Sequence, residues 1–101
     1  MVSFSEIQNV SSEIEEKFHP DKIVLLRSYA YGNPGPADSC VDLLVAMRSS
    51  VLPVDHATKI RNMVDFPFPV DHLVCTPEQI ELRLALGDGF IREVTSRGKL
   101  L

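Results

Sequence analysis

The chain has 101 residues, 45% of them apolar and 24% charged, with a net charge of −4. That is enough for one small domain with a core of its own, and it excludes general disorder and several domains. The acidic balance and the scattered placement of Arg92, Arg97 and Lys99 argue against duplex nucleic acid as a partner.

Ile7, Val10, Ile14 and Phe18 recur at spacings of three and four between charged residues, which predicts an amphipathic helix closed by His19-Pro20-Asp21. Lys22 to Leu26 is a continuous apolar run after one lysine and reads as a buried strand. Ser28 to Tyr31 has room for one helical turn before the turn-rich segment through Asn33-Pro34-Gly35-Pro36. Val41 to Met47 is a second apolar run, interrupted only by the charge of Asp42. A helix from near Pro53, marked by Val54, Ala57, Ile60 and Val64, ends before Pro67 and Pro69.

Val70 to Cys75 is the third strand. Thr76-Pro77-Glu78-Gln79 starts a helix on three signals: a capping hydroxyl, proline at the first helical position and glutamine three residues after the cap. Gly87-Asp88-Gly89 divides the remaining apolar stretch into two helices, and Gly98 closes the second. The order predicts a single α/β (α+β) domain over residues 1–101, a small mixed sheet with helices mainly on one face.

Cys40 and Cys75 have no CxxC partner, so neither a disulfide framework nor a zinc site is signalled, and both read as small packed residues. No window is long and apolar enough for a membrane span, and residues 1–10 lack the pattern of a signal peptide. A cytoplasmic protein with no membrane contact is expected. His19, His56 and His72 have no metal-ligand spacing and read as surface or packed residues. Tyr29 and Tyr31 read more readily as cover for the first strand than as stacking platforms.

The segment KIVLLRSYAYGNPGPADSCVDLLVAM, Lys22 to Met47, resembles the minimal nucleotidyltransferases of the DNA polymerase beta superfamily. There a strand ends in Gly-Ser and the next strand opens with Asp-x-Asp. Arg27-Ser28 stands at the first position here, and Cys40-Val41-Asp42 at the second. Val70 to Glu78 matches the segment that carries the family's third carboxylate, at Asp71. The resemblance implies a polymerase-beta-like fold with Ser28 and Arg27 on the phosphate side. It implies Asp42 and Asp71 as catalytic and metal-binding carboxylates, with Mg²⁺ and an NTP as cofactors of an active member.

Nucleotidyl transfer needs hard oxygen ligands for its cations, and alternate residues of a strand present their side chains on one face, so Asp-x-Asp supplies a pair. Cys40 breaks that pair, because a thiol is a poor ligand for Mg²⁺. Arg27 fills the space that glycine leaves open and adds strain if the backbone there has positive φ. Asp38 offers a substitute carboxylate only if the strand starts early.

The expectation is therefore an eroded site in a protein-binding or antitoxin-like module. The resemblance implies a HEPN-family helical protein as partner, and the small size allows a homodimer. The alternative is an active enzyme moving NMP from an NTP such as ATP to a protein acceptor, for instance a tyrosine of a HEPN toxin.

Overall fold

The computed structural model describes residues 2–32, 40–48 and 53–101, without the side chains of Ser28, Pro53 and Val54. Helix α1 spans Phe4–Phe18. It starts at Ser3, whose hydroxyl accepts from the Glu6 amide while the Glu6 side chain accepts from the Ser3 amide, a reciprocal cap. It stops at His19, which turns into the left-handed region ahead of Pro20. Strand β1 is Lys22–Leu26, followed directly by α2, a single turn over Arg27–Ala30. Strand β2 is Val41–Ala46, α3 is Pro53–Met63 and β3 is Val70–Cys75.

Helix α4, Pro77–Ala85, begins on the Thr76 cap with Gln79 closing the box, as its sequence demands. The Asp88 carboxylate caps α5, Gly89–Arg97, by accepting from the Phe90 and Ile91 amides. A two-residue strand, β4 at Lys99–Leu100, ends the order. No helix among the described residues is long and apolar enough to cross a membrane.

The sheet order is β3-β2-β1-β4, with β1 antiparallel to β2 and β4, and β2 parallel to β3 through the α3 crossover. This is the mixed α+β sheet expected from the element order. Its cover is distributed more evenly than the expectation of helices mainly on one face. Ile23, Leu25, Val41, Leu43, Val45, Val70 and Val74 point to a core with Ile7, Val10 and Ile14 of α1 and Ile60 of α3. The alternate residues Val24, Leu26, Leu44, Ala46 and Cys75 meet Ile80 of α4 and Ile91 and Val94 of α5 on the opposite side. Strands β1 and β2, apolar at all but one position each, bury both faces, so two helical layers are required.

Candidate functional site

Asp42 and Asp71 are register partners on the parallel strands β2 and β3, so their side chains share the sheet face that α4 and α5 cover. Cys40, two residues before Asp42, joins them: one ligand atom from each of Cys40, Asp42 and Asp71 lies within 4.8 Å of the other two. The Cys40 thiol donates to Asp71 Oδ2 at 3.6 Å. Three residues separated by up to 31 positions in sequence thus meet where the resemblance put its carboxylates.

Arg27 stands at the end of β1 beside them. Its φ is 59°, in the left-handed region that glycine adopts freely and that costs an L-residue roughly 1–2 kcal/mol. The backbone here therefore has a conformation that glycine adopts more readily than arginine. The side chain extends over the cluster, with Nε 4.0 Å from Asp42 Oδ2 and the guanidinium carbon 6.0 Å from the Phe90 ring centre. Since 65% of the Arg27 side chain is exposed, this ion pair contributes little to stability, about 0–1 kcal/mol. Its effect is on the site, where it sets a positive charge beside the Asp42 carboxylate.

Burial pushes the Asp42 carboxyl above its ordinary value; Arg27 opposes the rise and Asp71 adds to it. Burial also raises the Cys40 thiol, and the charge of Asp71, its hydrogen bond and the charge of Asp42 act in the same direction. Cys40 is therefore held as a hydrogen-bond donor to Asp71 and gives up its proton less readily than an ordinary cysteine. Two carboxylates, a neutral thiol and a guanidinium do not fit the pair of hard divalent cations that nucleotidyl transfer uses.

The cluster opens into a cleft of about 240 Å³ bordered by Arg27, Asp42, Arg61, Asp71, His72 and Phe90. An adjoining cleft of about 270 Å³ shares Leu26, Arg27 and Phe90 and adds Tyr31, Glu93 and Val94. Arg61 and Phe90 are the lining residues that the sequence reading missed. Neither carries a local signal, because each reaches the site only through the docking of its helix, α3 or α5.

Ser28 lies in α2 directly after β1, but its side chain is outside the described residues, as are Asp38 and Asn33-Pro34-Gly35-Pro36. Tyr29 packs into the core and accepts a hydrogen bond from the Val2 amide at 3.1 Å, so it covers the first strand as its position suggested. Tyr31 stays at the surface, donates to Glu93 and carries the Arg97 guanidinium 4.0 Å from its ring centre. The His72 ring bonds the Ala57 carbonyl at 2.8 Å and stacks on Phe66. It is a packed residue, as read. Cys75 is buried, while Cys40 is half-buried and faces the site.

The raised Asp42 carboxyl makes a prediction with a definite sign. The unfolded chain releases this proton near the ordinary value of 3.8, the folded chain at higher pH. The folded state therefore loses stability as pH rises through the carboxylate range and carries the full penalty at neutrality. Asp42→Asn should raise the denaturation midpoint modestly at neutral pH, with the gain disappearing in acid; urea melts of both proteins at the two pH values measure it. A gain that persists unchanged in acid would assign it to packing instead. Compared with known proteins, the chain matches no family model and has no significant match among curated proteins or solved structures.

Proposed function

We propose that the chain is a minimal nucleotidyltransferase-like domain of the polymerase beta type, with a guanidinium in the place of the catalytic cation, that acts by binding and not by transfer. The observation that carries this reading is Arg27. It holds a glycine-like backbone conformation at the end of β1 and sets its side chain 4.0 Å from Asp42, beside the Cys40, Asp42 and Asp71 cluster. Ser28 and Arg27 are then the residues of the former phosphate side, and Asp42 and Asp71 the remaining carboxylates of a former Mg²⁺ site. The partner on this reading is a HEPN-type helical protein, as for antitoxins of the family, and the two unpaired thiols fit a cytoplasmic setting.

The juxtaposition of Asp42 and Asp71 favours a second reading, an active Mg²⁺-dependent transfer of NMP from ATP to a protein acceptor. Calorimetric titration of the purified chain with ATP, with and without Mg²⁺, separates the two. The binding-module reading expects no Mg²⁺-dependent heat. Saturable binding of ATP that requires Mg²⁺ would replace it with the enzyme reading and start a search for the acceptor.

A further inference from the structure

Strand β3 is the outer strand of the sheet on the side away from β4. The carbonyls of Pro69 and Cys75 accept from the β2 segment, from the Val41 amide at 3.0 Å and the Met47 amide at 2.9 Å. Backbone groups alternate along a strand, so Asp71 and Leu73 also face β2, and the N–H and C=O groups of Val70, His72 and Val74 are directed outward. Among the described residues no strand pairs with that edge. Proteins commonly protect such edges with charged side chains, proline or a bulge; here Pro69 only precedes the strand and Asp71 is its one acidic charge.

Beside the edge lies an apolar groove of about 290 Å³ formed by Leu73, Cys75, Gln79, Leu82 and Arg83. Leu73 is 37% exposed and Leu82 60%. These are large apolar side chains left in water next to a strand edge with no partner strand among the described residues, which marks an interaction surface.

We infer that this edge pairs with the same edge of a second copy, antiparallel about a two-fold axis at Leu73, joining two four-stranded sheets into one. The register brings Leu73 opposite Leu73 of the second copy, so that the exposed leucines of both chains meet on one face. His72 lies opposite Val74 in each direction, and such a pair exchanges both of its outward backbone hydrogen bonds. Asp71 falls opposite Cys75 of the second copy.

That last pairing supplies the reason for a second copy over an unrelated strand. The Arg83 guanidinium lies against Cys75 and is shared with Asp88, 3.7 Å from its Nε. Its remaining donors are available to a further carboxylate. In the two-fold arrangement Asp71 of each copy meets Arg83 of the other, so one exposed acid and one exposed base are matched twice by symmetry. An extended peptide from another protein would supply the backbone bonds without that charge. This surface does not depend on the nucleotidyltransferase reading.

Sedimentation velocity of the intact chain over a concentration series tests the interface. The expected result is a reversible monomer–dimer equilibrium. Leu73→Lys and Leu82→Glu, the second on an exposed helix position, should each shift it to monomer with unchanged circular dichroism. Asp71→Arg and Arg83→Asp should each weaken the dimer several-fold, and the two together should restore it. A monomer at every concentration overturns the proposal, as does a dimer that ignores both leucine substitutions. A double charge exchange no tighter than either single variant overturns the register, and the proposal with it.

Discussion

Gly98→Ala should destabilise the fold by about 1–3 kcal/mol, the usual cost of forcing extra volume into a packed position. A β-carbon at Gly98 would collide with the Val24 side chain and with the carbonyl oxygen of Val94, both closer than any van der Waals contact allows. The Val94 carbonyl cannot move away cheaply, because it is the acceptor of the Gly98 amide at 3.0 Å and so closes α5. Val24 cannot either, since it packs in the core between the sheet and α5.

Relief would come from the chain after Gly98. The Val24–Leu100 and Leu25–Lys99 pairs and the Leu101 amide bond to Ile23 would be lost, and β4 with them. In a domain of this size each kcal/mol lowers Tm by roughly 4–8 °C, so thermal denaturation resolves the effect easily. Gly89→Ala is the internal control: its β-carbon would meet nothing within 4 Å, so its Tm should stay within a few degrees of the parent or rise. Equal losses for both variants would refute the close-approach explanation.

The three long strands and the start of α4 were legible because their signals are local. Val41 to Ala46 is apolar on both sides of the pleat except at Asp42, and Thr76-Pro77 with Gln79 satisfies its own amides whatever the rest of the chain does. The same continuous runs also require a second helical layer, although counting elements suggested helices mainly on one face. Burial of Val24, Leu44 and Ala46 opposite Leu25, Leu43 and Val45 leaves no face for solvent. β4 was not legible. Two exposed residues, Lys99 and Leu100, have no pattern, and their strand exists only because Gly98 lets the chain turn back against β1.

At the site, only the family resemblance linked Asp71 to Asp42; their meeting follows from β2 and β3 running parallel in register, which no residue pattern in either strand announces. The identity of their nearest cation was not legible either. Whether Arg27 points to solvent, phosphate or carboxylate depends on the backbone at the end of β1 and on Phe90, which arrives from α5, 63 positions later. Sequence distance conceals such contacts, because helix docking is a property of the whole core.

On the proposed reading, Cys40→Asp together with Arg27→Gly should turn the cluster into a cation site whose stability depends on metal. In Cys40→Asp with Arg27→Gly, three carboxylates occupy positions whose present ligand atoms lie within 4.8 Å of one another, and no guanidinium offsets them. Asp42 already carries a raised proton affinity from burial with Asp71 beside it, so a third charge adds repulsion in the folded state that the unfolded chain does not feel. Arg27→Gly works the other way, releasing the roughly 1–2 kcal/mol of left-handed strain at φ 59° at the cost of a more flexible unfolded chain.

The metal-free double variant should therefore melt at or below the parent, and Mg²⁺ should raise its Tm. At a hundredfold excess over Kd the gain is about 2.7 kcal/mol, well above the error of a thermal melt. The parent, with its thiol and guanidinium in place, should show no such shift. Mg²⁺-dependent stabilisation of the double variant alone would support the eroded-site reading, because the three carboxylates would then hold a cation that the thiol and guanidinium exclude. A double variant as indifferent to Mg²⁺ as the parent would mean that Asp42 and Asp71 meet for structural reasons alone, and the nucleotidyltransferase reading would fall with that result.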